Sequence, residues 1–119
     1  MKVYKNEDAI HHNRPEGIKA MYYLFKEYHF VYVEQPPGTR QPWHHHNIIH
    51  ESLFIIDGEL LFEWKEDGKL SKQVVKSGDL IETENTPHSF TNQSDTIVRY
   101  IVVKQVLSGE DKVEVLEKD

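Results

Sequence analysis

Short β-type segments separated by glycine-containing turns recur through the middle of this chain. The turns are Asp57-Gly58, Asp67-Gly68 and Ser77-Gly78-Asp79. Asp57-Gly58 lies between two apolar segments and is a strong hairpin signal, because glycine readily adopts the positive φ that tight turns require. Turns at intervals of about eight to twelve residues favour a sandwich or a barrel of roughly nine strands. The sequence therefore predicts an all-β fold, either a small β-barrel or a double-sheet jelly roll.

The strands can be placed from their apolar and β-branched residues. The predicted strands are Tyr28 to Val33, Ser52 to Ile56, Glu59 to Trp64, Leu70 to Val75, Leu80 to Thr83, His88 to Asn92 and Thr96 to Val103. Ile18 to Phe25 fits helical spacing, but its aromatic residues favour a strand. We predict a strand there, since a strand follows. In Tyr28 to Val33 both faces are largely apolar, which predicts burial on both sides, for example between two protomers.

Size and charge exclude several classes of protein. The chain has 119 residues, which predicts one domain, and a formal charge of −6 from 20 acidic and 14 basic residues. Basic clusters for nucleic acid are absent from the sequence, and so are cysteine and an apolar run long enough to span a membrane. No signal pattern is evident at the N-terminus. We expect a soluble, cytoplasmic protein with a polar arm (1–17), a barrel core (about 28–104) and a charged tail (109–119), in which 113–116 could add an edge strand.

Histidines are concentrated just before the strand that contains Leu53. His44 and His46 project from one face of an extended segment, because side chains alternate along a strand, and Glu51 follows. Two imidazoles and a carboxylate aimed at one point form a site for a first-row metal. His88 is the only later histidine and supplies a fourth ligand. Glu51 shares its face with Leu53 and Ile55, so an inward orientation of that face would bring the ligands together.

The spacing of these residues resembles the first motif of the cupin family. Five residues separate Gly38 from His44, four separate His46 from Glu51, and six separate Glu51 from Gly58. Each of these fixed positions matches the family pattern. The resemblance covers about residues 38–92 and implies a cupin barrel with a metal held by His44, His46, Glu51 and His88.

The second cupin motif is present with changes. Gly78, His88 and Asn92 match its ends, while Thr83 replaces its proline, Asn85 replaces its glycine, and its first gap is one residue shorter. Asparagine tolerates the left-handed backbone better than most residues, so Asn85 is a mild change. The resemblance also implies a homodimer, since cupins commonly pair through N-terminal strands.

Metal identity and reaction remain open at this level. Imidazole and carboxylate ligands suit iron, manganese, nickel, copper or zinc as one divalent transition metal. The resemblance implies a metal-dependent enzyme for a small oxygen-rich molecule, with an oxygenase slightly ahead of an isomerase, a decarboxylase or a lyase. A non-catalytic module that binds or senses a small molecule, and a structural barrel with adventitious metal, are the alternatives.

Three further side chains are candidates for substrate binding. Arg40 precedes the histidines, and Arg99 lies within an apolar strand. Either guanidinium could bind a substrate carboxylate or phosphate with two hydrogen bonds. His50 should point away from His44 and His46 on a regular strand, and it could orient a substrate at the mouth of the barrel.

Overall fold

Antiparallel strands form nearly all of the secondary structure in a computed structural model, which describes residues 1–45 and 49–106 without the side chains of Ile49 and Val106. A short 3-10 helix, Asn6–Asp8, precedes the first strand. The strands are β1 (Ile10–Asn13), β2 (Lys19–Leu24), β3 (Tyr28–Gln35), β4 (Arg40–His44), β5 (Ile49–Asp57), β6 (Glu59–Glu66), β7 (Lys69–Lys76), β8 (Leu80–Glu82), β9 (His88–Thr91) and β10 (Val98–Val106). No helix in the described ranges is long and apolar enough to cross a membrane.

The strands form two sheets. One has six strands in the order β1-β2-β3-β10-β5-β8, and the other has four in the order β4-β9-β6-β7. All of the strand pairs are antiparallel. The prediction of an all-β, double-sheet fold of jelly-roll type is therefore confirmed.

The two Asp-Gly turns have different roles. Asp67-Gly68 joins β6 to β7, which pair directly as a hairpin. Asp57-Gly58 joins β5 to β6, and these strands belong to different sheets. The hairpin predicted at Asp57-Gly58 is therefore wrong. The turn carries the chain from one sheet to the other, because β5 pairs with β10 and β8 instead.

The N-terminal region adds strands to the edge of the six-stranded sheet. The segment that fitted both helix and strand is β2, as predicted, and it pairs with β3. Ile18, Ala20 and Tyr22 alternate inward and are buried. In the predicted polar arm, β1 pairs with β2, and its four residues are exposed. The charged tail, including the possible strand at 113–116, lies outside the described residues.

Apolar side chains of both sheets meet in one core. Leu53, Ile55 and Tyr100 come from the six-stranded sheet and are fully buried. Phe62 and Phe90 come from the four-stranded sheet and stack with ring centroids 4.9 Å apart. Phe90 also meets Tyr100 edge to face at 5.7 Å, which is a favoured geometry for aromatic pairs. Burial of each such side chain stabilises the fold by roughly 1.5–3 kcal/mol.

The turn between the sheets gives a prediction for Gly58→Ala. Gly58 has φ +87°, and an added Cβ would lie 2.9 Å from Cγ2 and 3.1 Å from Cα of Val98. The left-handed backbone costs alanine about 1–2 kcal/mol, and the overpacking adds roughly 1–3 kcal/mol. Urea denaturation should show a lower free energy of unfolding by about the sum of these two costs.

Gly68→Ala is the matched control for this variant. Gly68 has φ +75°, and an added Cβ would meet nothing within 4 Å. Gly68→Ala should therefore lose only the backbone contribution. Equal destabilisation by the two substitutions would contradict the proposed close packing of the Asp57-Gly58 turn against β10.

Candidate metal centre

Three of the predicted metal ligands come together between the two sheets. His44 is the last residue of β4, and His88 is the first residue of β9, where the two are cross-strand partners. Glu51 lies on β5 in the opposite sheet, and its side chain points inward on the same face as Leu53. The cluster is therefore formed by the alternation of β5 and by the register between β4 and β9.

The side chains of the three residues lie close enough together to be ligands of one ion. Nε2 of His88 lies 3.1 Å from Oε1 of Glu51, and Nε2 of His44 lies 3.9 Å from the same oxygen. One candidate ligand atom from each of the three residues lies within 4.8 Å of the others. Glu51 and His88 are buried, and His44 is partly exposed. An ion could therefore contact all three residues after small side-chain adjustments.

Both histidine rings are oriented by backbone carbonyls. Nδ1 of His44 lies 2.8 Å from the carbonyl oxygen of Pro42, and Nδ1 of His88 lies 2.6 Å from that of Thr86. A carbonyl oxygen only accepts, so Nδ1 carries the proton and donates it in each ring. Nε2 of each neutral ring then presents its lone pair to the cluster. This arrangement is the usual one for a metal-binding histidine.

The buried atoms fit a cation at this point. Nε2 of His88 is buried and makes no hydrogen bond within the described residues. Its lone pair faces a carboxylate oxygen at 3.1 Å, so two acceptors repel each other unless a positive charge lies near them. Two oriented imidazoles and a carboxylate are ligands that suit first-row divalent metals. The residues present therefore fit the metal predicted from the sequence.

His46, the remaining predicted ligand, lies outside the described residues.

The turn before His88 is described, and it shows how the altered second motif is accommodated. Glu84 and Asn85 have φ values of 52° and 60°, in the left-handed region. This turn brings His88 into the cluster despite the shorter gap, as the tolerance of asparagine for this conformation predicts.

Two cavities are lined in part by residues of the cluster. His88 lines the larger cavity, of about 440 Å³, and His44 and Glu51 line the smaller one, of about 190 Å³. The other residues of the smaller cavity are Arg14, Ala20, Tyr22, Val31, Val33, Gln41, Pro42, Trp43, Phe90, Tyr100, Val102 and Lys104. A small molecule in the smaller cavity would therefore lie beside two of the candidate ligands.

A chain of hydrogen bonds connects the smaller cavity to the core. Arg14 donates from Nη1 to Oε1 of Gln41 at 2.7 Å, and Nε2 of Gln41 donates to the Tyr100 hydroxyl at 3.1 Å. That hydroxyl donates to Oε1 of Gln35 at 2.8 Å. Burial raises the pKa of Tyr100 well above its ordinary value, so the hydroxyl keeps its proton. In this network the donor and the acceptor of each hydrogen bond are therefore defined.

Lys104 is a buried cation next to the candidate ligands. It is 5% exposed, and it is the cross-strand partner of Glu51. Burial lowers the pKa of Lys104 to about 8, while the negative charge of Glu51 opposes this effect. Sequence analysis missed both Lys104 and Arg14. Lys104 shares the inward parity of Tyr100 and Val102, which is a signal that the sequence contains, whereas nothing in the polar arm distinguishes Arg14.

The three predicted substrate-binding residues lie outside both cavities. Arg40 pairs with Glu63 at 2.6 Å. Arg99 lies 3.4 Å from Asp57, and its side chain is 40% exposed. His50 is exposed and pairs with Glu82, as its predicted outward orientation requires. The Glu82 carboxylate accepts hydrogen bonds from Ser52 and His50, and both lower its pKa against the opposing effect of burial. A role for these three residues in substrate binding stays a prediction.

Solved structures with the same fold are diverse. A Drosophila melanogaster CENP-C structure bound to CAL1 is 22% identical, with a TM-score of 0.74 over 87% of this chain and 85% of that one. A predicted oxalate decarboxylase from Thermotoga maritima is 23% identical, with a TM-score of 0.72 over 89% of this chain and 100% of that one. A cupin 2 conserved barrel protein from Salinispora arenicola is 15% identical, with a TM-score of 0.73 over 98% of both chains.

Sequence comparison identifies the family. Comparison with curated proteins gives no match. The model of the cupin domain family matches residues 31–104, which is more than half of the chain and includes His44, Glu51 and His88. The two-sheet fold agrees with this match. The chain therefore belongs to the cupin domain family.

Proposed function

We propose that this protein is a metal-dependent enzyme that acts on a small oxygen-rich molecule. It holds one divalent transition metal through His44, Glu51 and His88, with His46 as the fourth ligand. The observation that carries this proposal is the orientation of two imidazoles by backbone carbonyls towards a buried carboxylate. Side chains that had only a structural role would not need to direct two lone pairs at one point.

The ligand set limits the chemistry. Three neutral imidazoles and one carboxylate around a divalent metal leave a net charge of about +1, with open positions for an oxygen ligand. The metal would supply Lewis acidity or, if redox-active, a site for dioxygen. The protein's own residues orient the ligands, bind the substrate and limit water through the apolar walls of the smaller cavity. We place an oxygenase first, and an isomerase, a decarboxylase or a lyase next.

A non-catalytic binding module is the second candidate. A structurally similar CENP-C protein is bound to another protein, CAL1, so this fold is compatible with binding as its main task. The cavities beside the cluster could likewise hold a small molecule without reaction. Turnover by the metal-loaded protein separates the two candidates.

Assembly as a homodimer is supported by one surface of the six-stranded sheet. The outward side chains of its central strands form a contiguous apolar patch, which we call the outer aromatic face: Met21, Tyr23, Phe30, Tyr32, Phe54, Ile101 and Val103. Phe54 is 43% exposed in the isolated chain. Apolar patches of this kind mark interaction sites, and a second copy of the chain would cover this one. A cytoplasmic location stays a prediction from the sequence.

Metal content tests the site directly. Protein purified without chelators should contain about one equivalent of iron, manganese, nickel, copper or zinc by mass spectrometry. Glu51→Gln and His88→Ala should lose most of this metal, whereas His12→Ala, at an exposed histidine of β1, should keep it. Added metal at about 100 times its Kd should raise the free energy of unfolding of the wild type by roughly 2.7 kcal/mol. Metal content that is equal in all four proteins would contradict the site.

Turnover tests the reaction. Protein loaded separately with each of the five metals is mixed with phenols, β-diketones, keto acids and sugars, while dissolved oxygen, carbon dioxide and products are measured. Oxygen uptake that depends on substrate and is lost in Glu51→Gln supports an oxygenase. Product formation without oxygen uptake supports Lewis-acid chemistry. Binding of one of these molecules without any turnover would contradict the enzyme proposal and favour the non-catalytic binding module.

Light scattering tests the dimer. The wild type should have twice the mass of one chain at micromolar concentration, and Phe54→Glu should have the mass of one chain, because a buried charge destabilises an apolar interface. Val74→Glu is the control, since Val74 is 47% exposed on β7 of the other sheet. A monomeric wild type, or dimers in both variants, would contradict an interface at the outer aromatic face.

A further inference from the structure

The smaller cavity contains more positive than negative side chains. Among the described residues that line it, Arg14 and Lys104 are basic, and Glu51 is the one acidic residue. A metal held by His44, Glu51 and His88 would add further positive charge. Burial strengthens electrostatic interactions, because the surrounding dielectric constant is low. The cavity therefore favours a ligand that carries a negative charge.

Both cations are held in place before any ligand arrives. Lys104 is fixed by burial within β10, one strand from Glu51. Arg14 donates to Gln41, and its guanidinium also bonds to the Tyr22 hydroxyl. These bonds orient the guanidinium. Preorganised donors of this kind lose little entropy when they bind an anion.

The size and the walls of the cavity limit the anion. Its volume is about 190 Å³. A cavity of roughly 150 Å³ holds one benzene molecule, so this one suits a ring or a short chain with a single head group. Apolar side chains form part of the wall, namely Ala20, Val31, Val33, Phe90 and Val102. An apolar body with one anionic group matches this surface better than a compact inorganic anion does.

The larger cavity has the opposite character. Its lining includes Glu66, Asp79, Glu82 and Glu84, and no lysine or arginine is among its described lining residues. Carboxylates at this density repel an anion. An anionic substrate would therefore reach the candidate metal ligands through the smaller cavity.

We propose that the smaller cavity binds a small carboxylic acid, whose carboxylate contacts Arg14 and Lys104 and whose apolar body packs against Val31, Val33 and Val102. This proposal rests on the proposed function, because it names the substrate class of the same site. Arg14 and Lys104 are then binding residues that determine specificity, at positions that lie outside the cupin sequence motifs.

Calorimetry with simple probes tests the proposal. Benzoate, its neutral analogue benzamide and inorganic phosphate are titrated at pH 7 into full-length protein of measured metal content. Benzoate should bind, and benzamide and phosphate should bind at least tenfold more weakly. Arg14→Gln and Lys104→Met should each weaken benzoate binding by roughly ten- to a hundredfold, the loss expected for one charge-assisted hydrogen bond. Lys19→Met, at an exposed residue on the outward face of β2, should leave the affinity unchanged.

Melting temperatures of the variants show whether each is folded, and Arg14→Gln alone is sufficient if Lys104→Met does not fold. Any one of four outcomes would overturn the proposal: equal binding of benzoate and benzamide, binding of phosphate as tight as that of benzoate, no binding of benzoate, or unchanged benzoate affinity in a folded Arg14→Gln.

Metal content is measured on the same samples. Absence of benzoate binding with one equivalent of metal would refute the carboxylate site alone, and benzoate binding without metal would refute the metal-dependent function alone.

Discussion

The approach of Glu51 to His88 across the interior is the contact on which the site depends. A carboxylate on one sheet and an imidazole on the other lie 3.1 Å apart, and both are almost fully buried. A buried carboxylate costs several kcal/mol unless positive charge lies beside it. A nearby lysine and the predicted metal would both supply this charge at one place. The same contact therefore depends both on how the two sheets pack and on positive charge at the site.

A second constraint comes from polar groups within the apolar core. Gln35, Gln41 and Tyr100 are buried, and each has hydrogen-bond partners in the others or in the backbone. A fully satisfied network of this kind is compatible with a stable core, whereas a partly satisfied one is not. Because Arg14 is joined to Gln41, the network links the N-terminal region to the interior. A residue from a polar arm thus becomes part of the cavity beside the candidate metal ligands.

The fold alone does not decide the chemistry. Structures as different as a CENP-C protein and a predicted oxalate decarboxylase have similar TM-scores to this chain, at identities of 22% and 23%. At sequence identities this low, the feature that the proteins share is the architecture. The chemistry has to be inferred from the side chains inside this protein, above all the two cations that line the smaller cavity and the acidic lining of the larger one. The functional proposals therefore rest on these residues.

The sequence by itself determined most of the strand positions and the face that Glu51 shares with Leu53 and Ile55. Both follow from local rules, since side chains alternate along a strand and glycine marks its turns. The same rules explain why His50 points outward. They failed at Asp57-Gly58, where the local turn signal is compatible with a hairpin and with a crossing between sheets. The choice depends on whether β5 pairs with β6 or with β10.

Only the tertiary structure decided which strands are neighbours. That arrangement placed Lys104 beside Glu51, 53 positions earlier in the chain, and Arg14 beside Gln41. Strand pairing and register arise from the packing of distant segments, which no window of sequence contains. The candidate metal ligands were therefore found from a local motif, whereas the cations of the cavity were found only from the fold.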